Sequence, residues 1–95
     1  MRVAQKGNLQ KARAAWDRLM ALGGTGVWDA DIVTLSLADT VITDDDLAVF
    51  GDFTQVQVLD LSRTAVTGAG LKHLVYATDL EELIVVGTKL SRAAL

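Results

Sequence analysis

The sequence predicts an α/β fold: a short solenoid of about three stacked strand–turn–helix units. The units share a parallel sheet of about three strands, carry short helices on the convex side and are closed by an N-terminal capping helix. Three observations carry this. Residues 35–50 (LSLADTVITDDDLAVF) and 59–74 (LDLSRTAVTGAGLKHL) repeat one pattern, and LIVVGTKLSRAAL at 83–95 begins it again. Within each unit, apolar spacing changes from every second residue to helical spacing. Residues 8–22 read as one amphipathic helix stopped by Gly23-Gly24.

The elements follow in chain order. Residues 8–22 (NLQKARAAWDRLMAL) form the capping helix, with Asn8 as N-cap and Leu9, Ala12, Trp16, Leu19 and Met20 on one stripe. A stacked array exposes the core of its first unit, and Trp16 is the largest side chain available to cover it. Residues 25–31 (TGVWDAD) are read as a linker whose Trp28 covers the edge of the first unit. The chain thus divides into residues 1–31, cap and linker, and residues 32–95, repeats. The repeats run 32–55, 56–79 and a shortened 80–95.

In register, Leu35, Leu59 and Leu83 align, as do Leu37, Leu61 and Val85. Ile32, Val56 and Leu80 precede them. Thr40, Thr64 and Thr88 follow, then Ile42, Val66 and Leu90, and then Thr43, Thr67 and Ser91. Leu47, Leu71 and Leu95 close the set, and Phe50 matches Leu74. The alternation Leu35-Ser36-Leu37 and Leu59-Asp60-Leu61 places both leucines on one face of a strand. Thr43, Thr67 and Ser91 stand as helix N-caps. Thr40, Thr64 and Thr88 fall where the chain leaves the sheet. A hydroxyl there can bond a neighbouring backbone group, and stacked threonines could form a ladder.

The pattern L-x-x-L-x-L-x-x-T-x-(I/V)-T-x-x-x-L resembles leucine-rich repeats. It is most like the bacterial variety with threonine where other subtypes carry asparagine or cysteine. It is also similar to the repeats that follow the F-box in ubiquitin-ligase substrate receptors. The match covers residues 32–95. Three departures stand out: Val85 replaces leucine, Ala77 sits where the first unit has Phe53, and the last unit stops at Leu95. The resemblance implies a solenoid that binds other proteins on its concave face.

Composition narrows the chemistry. The chain has 95 residues, 51% hydrophobic and 22% charged, as a globular domain requires. No apolar run reaches the roughly 20 residues that span a bilayer, and residues 1–16 do not read as a secretory signal, so a cytoplasmic protein is the default expectation. There is no cysteine, which excludes disulfides, thiolate metal sites and thiol catalysis. Residues 1–28 carry five basic residues against one acidic (net +4), and residues 29–95 four against eleven (net −7). The acidic larger part argues against nucleic acid.

Each chemistry-bearing feature has a structural reading beside the functional one. Asp44-Asp45-Asp46 could hold a divalent cation, but acids after a Thr N-cap also complement a helix dipole. His73, the sole histidine, is expected on the outer surface of its helix. Gly68-Ala69-Gly70 lacks the lysine of a phosphate loop, and Gly23-Gly24-Thr25-Gly26 its strand–helix context. Asp60 and Glu82 hint weakly at acid–base work. No catalytic residue, metal site or cofactor is expected.

The remaining surface is the concave face, where Thr34, Ser36 and Ala38, then Val58, Asp60 and Ser62, then Glu82, Ile84 and Val86 should point outward. Val58, Ile84 and Val86 should form an exposed apolar cluster, the kind of patch that marks contacts. The run Leu83-Ile84-Val85-Val86 reads as an edge strand open to pairing with another chain, giving self-association as a twofold dimer. The expected function is protein–protein interaction through the concave face or this edge, without nucleic acid or membrane. The alternatives are a structural unit of a longer repeat protein and, third, an enzyme with a carboxylate site.

Overall fold

The computed structural model describes residues 6–29 and 33–89. Expectations for Ile32, Leu90, Ser91, Leu95 and the side chain of Leu9 fall outside the described residues. Helix α1 spans Lys6–Ala21, and the strands are β1 (Thr25–Trp28), β2 (Val33–Ser36), β3 (Val58–Asp60) and β4 (Glu82–Ile84). Between β2 and β3 lies a 3₁₀ helix, Asp44–Gly51; between β3 and β4, α2 (Gly68–Leu71) runs into a 3₁₀ turn, Lys72–Tyr76. The sheet is open and mixed, in the order β1-β2-β3-β4.

The repeat register appears directly in β2, β3 and β4, which run parallel. Leu35 pairs with Leu59 and Leu59 with Leu83. The ladder continues past the strands: Leu37 and Leu61 donate their N–H to the carbonyls of Asp60 (2.8 Å) and Ile84 (2.7 Å). The expectation of a purely parallel sheet is corrected by β1. Residues 25–28 are a strand, not a linker, and pair antiparallel with β2, Thr25 against Ser36 and Trp28 against Val33. The connection from Trp28 to Val33 is too short for a parallel crossover, so the two strands must run oppositely.

A tight turn follows each strand. Asp39 (φ 62°), Arg63 (φ 56°) and Gly87 (φ 72°) occupy the same repeat position, all in the left-handed region. The hydroxyls of Thr40, Thr64 and Thr88 donate to the carbonyls of Leu37 (2.6 Å), Leu61 (2.8 Å) and Val85 (2.9 Å). The recurring threonine therefore closes its own turn, satisfying a carbonyl at the strand exit. Arg63 also reaches back to Asp39 with two N–H···O bonds, 2.6 and 2.9 Å long. That hydrogen bonding, with the guanidinium charge, holds the Asp39 carboxyl below its ordinary value.

Helix α1 ends in a Schellman pattern: Gly24 N–H donates to Leu19 O (3.0 Å) and Gly23 N–H to Met20 O (3.1 Å), with Gly23 at φ 103°. Asn8 lies inside this helix rather than capping it. Ala12, Ala15, Trp16 and Leu19 are buried and join the core of the repeats. Trp28 is half-buried and shares an aromatic cluster with Trp16 (centroids 5.5 Å apart) and Phe53 (5.1 Å). The Arg13 guanidinium lies 5.2 Å from the Trp28 ring centroid.

The acidic triplet fills the first turn after the N-cap Thr43, as read from the sequence, and it also works across units. The Asp44 carboxylate accepts the N–H (2.7 Å) and the hydroxyl (2.6 Å) of Thr67 in the next unit. Asp46 reaches back to the N–H of Thr43 (2.8 Å). Thr67 in turn accepts from Ala69 N–H (3.2 Å), as an N-cap should. Gly70 leaves the space this needs, since a Cβ there would come within 2.5 Å of Asp44 Oδ1. Burial raises the Asp44 carboxyl, but the bonds from Thr67 and Gly70 and the His73 charge outweigh it, leaving it below its ordinary value.

Asp44→Ala should therefore cost about 1–2 kcal/mol at neutral pH through orphaned Thr67 donors. A carboxyl depressed in the folded state stabilises above its unfolded pKa of about 3.9, and this is lost as pH falls through the folded value. Urea melts of wild type and variant should differ at pH 7 and converge well below pH 4. A gap of constant size across that range would refute the role given to Asp44.

Candidate functional site

The face of the sheet opposite the core is the candidate site, and strand register orders it into rows. Val27, Thr34, Val58 and Glu82 form one row across all four strands. Thr25, Ser36, Asp60 and Ile84 form the next. Leu35 and Leu59 on the opposite face are fully buried. Thr34, Ser36, Ala38, Val58, Asp60 and Ile84 are half-buried, Glu82 is exposed, and Val86 is 66% exposed.

Several polar residues here are committed to the backbone. Ser36 Oγ accepts the Ala38 N–H (3.3 Å), and Asp60 Oδ1 accepts the Ser62 N–H (2.8 Å). In the third unit the corresponding residue is Ile84, which cannot accept. Ser62 Oγ accepts the Val86 N–H instead (3.2 Å). Ser62 is only 2% exposed, so it is a support for the turn and not a contact residue, which corrects its expected outward position. The strand ends before Ser62, and its hydroxyl is drawn onto the Val86 N–H of the next unit.

The expected apolar cluster is interrupted. Val58 stands opposite Glu82 and Ile84 opposite Asp60, so the two apolar residues are diagonal neighbours rather than one strip. Asp60 and Glu82 are likewise diagonal, and the Asp60 carboxylate is engaged with its own turn. β1 adds Thr25 and the 57% exposed Val27 to the face, residues not anticipated from sequence. The signal available for them was the short β-prone run Thr-Gly-Val-Trp between two turn segments.

The second candidate is the outer edge of β4, which among the described residues pairs on one side only. Leu80, Leu83 and Val85 at this edge are partly buried against the core. A separate polar cleft of about 280 Å³ is lined by Lys11, Gly51, Asp52, Thr54 and Gln55, and the buried Gln55 Oε1 has no hydrogen-bond partner among the described residues. His73 is half-buried rather than fully outward. Among the described residues, no three His, Asp or Glu side chains come together as metal ligands, and no helix is long and apolar enough to cross a membrane. Comparison with protein-family models, curated proteins and solved structures returns no match.

Proposed function

We propose that this chain is a non-enzymatic protein-interaction module: a short leucine-rich-repeat solenoid that contacts a protein partner through its sheet face or its β4 edge. The observation that carries this is the register itself. Four strands bring Val27, Thr34, Val58 and Glu82 into one row on the face turned away from the core. A mixed apolar and acidic surface on a rigid ladder suits protein contact better than nucleic acid. The polar groups of Ser36, Asp60 and Ser62 serve the backbone, so they support shape rather than chemistry. No catalytic step, cofactor or metal belongs to this reading, and its setting is cytoplasmic.

A second reading is a structural unit of a longer repeat array. It is favoured by the ladder that runs on past β3 and β4, where Arg63 N–H still meets Val86 O at 2.8 Å. A further unit could dock on β4 in the same register.

Photo-crosslinking separates the two. A photoreactive residue at Val58 or Ile84 should give a discrete adduct in lysate of the source cell. The same residue at Val41, 81% exposed and outside the strand rows and β4, should not. Adducts no stronger at Val58 and Ile84 than at Val41 would leave the structural reading.

A further inference from the structure

We propose that the outer edge of β4 takes an extended segment of another protein, apolar in sequence with Lys or Arg at its N-terminal end, added parallel to β4. This deepens the interaction reading above and rests on it.

The backbone supplies the register. Toward β3, the carbonyls of Ile84 and Val86 accept from Leu61 and Arg63, and the N–H groups of Glu82 and Val86 donate to Gln57 O and Ser62 Oγ. Strand alternation turns the N–H groups of Leu83 and Val85 to the opposite side, where no described strand lies. An added strand would continue the ladder that β2, β3 and β4 already share. Both faces of the edge are apolar, Leu83 and Val85 on one and Ile84 and Val86 on the other.

Charge selects the occupant. Asp79, Glu81 and Glu82 are exposed at the start of β4. The preceding unit has Gln55, Gln57 and Val58 at these positions and the first has Asp31, Val33 and Thr34, so three acids together belong to the edge strand. A residue directly opposite Glu82 on an added strand would have its Cβ about 5 Å away, where opposite charges attract and like charges repel. A second copy of this chain fits less well. A twofold β4–β4 pairing must run antiparallel, against the sense of the ladder, and none of the four described strands contains Lys or Arg to stand opposite the acidic start.

The test uses the full chain and two fluorescein-labelled peptides, acetyl-Lys-Lys-Leu-Ile-Val-Val-amide and its counterpart with two Glu in place of the Lys. The lysine peptide should bind saturably by anisotropy, and about fivefold or more tighter than the glutamate peptide at low salt. Hydrogen exchange at the amides of Leu83 and Val85 should slow on binding. The double variant Glu81→Lys/Glu82→Lys, which alters only exposed side chains, should reverse the peptide preference. Equal binding of both peptides, no saturable binding, or an edge closed by a stable dimer in light scattering would each overturn the proposal. Protection confined to the rows of Val27 and Thr34 would also overturn it, while leaving the sheet-face reading intact. Loss of the Val58 adduct with peptide binding at β4 preserved would do the reverse.

Discussion

Replacing Phe53 by alanine is expected to remove about 3–5 kcal/mol of stability, because a fully buried aromatic side chain is deleted from a packed centre. Phe53 touches three other rings. It stands edge-on to Trp16 (5.9 Å), tilted against Trp28 (5.1 Å) and stacked near Phe50 (6.1 Å). It is therefore the joint between α1, β1 and the first repeat. Domains of this size are stable by about 5–15 kcal/mol, so the loss is a large share of the total. With a slope of about 2 kcal/mol per molar urea, the midpoint should fall by about 2 M. Both tryptophans of the chain contact Phe53, so intrinsic fluorescence reports on the joint directly. A shift below about 0.5 M, with unchanged tryptophan emission, would mean that the cap is not held through Phe53. The comparison position is Ala77, which occupies the same place in the next unit and is 6% exposed.

The parts of the fold legible in the sequence are those set by short-range periodicity. Leu35, Leu59 and Leu83 align in the sheet because a parallel ladder repeats whatever period the chain repeats. Thr40, Thr64 and Thr88 close turns because a hydroxyl three residues past a strand carbonyl can always reach it. The illegible parts depend on partners distant in sequence. Asp44-Asp45-Asp46 reads as helix-start acid, and only the neighbouring unit shows that Asp44 caps Thr67. Arg63 gives no hint of a left-handed backbone, a conformation rare for non-glycine residues. Gly87 at the same repeat position was the available clue. For the candidate site, the outward set was legible by alternation within the strands. It failed at Ser62, where the strand had already ended.

Gly26→Ala should detach β1, the element that alternation could not reveal. A Cβ at position 26 would sit 2.1 Å from the carbonyl oxygen of Thr34 and 3.1 Å from Leu35 Cα, both backbone atoms of β2. It would also meet the Trp16 ring at 3.0 Å. No side-chain rotation relieves a clash with backbone, so the pairing of β1 with β2 must open. Overpacking of this kind costs about 3 kcal/mol. The consequence reaches the sheet face, because Thr25 and Val27 are held in their rows only by that pairing. Amide exchange at Thr25 and Val27, whose N–H groups face β2, should accelerate by at least about a hundredfold, as a loss of roughly 3 kcal/mol in local opening requires. Exchange at Leu59 and Leu61, in the central strand, should change only by the global destabilisation. Slow exchange retained at Thr25 and Val27 would mean that β1 can shift to accommodate a methyl group. A photoreactive residue at Val58 should still form its adduct if the partner rests on the parallel strands, and lose it if β1 completes the surface. The same variant therefore measures how much of the sheet face the antiparallel strand supplies.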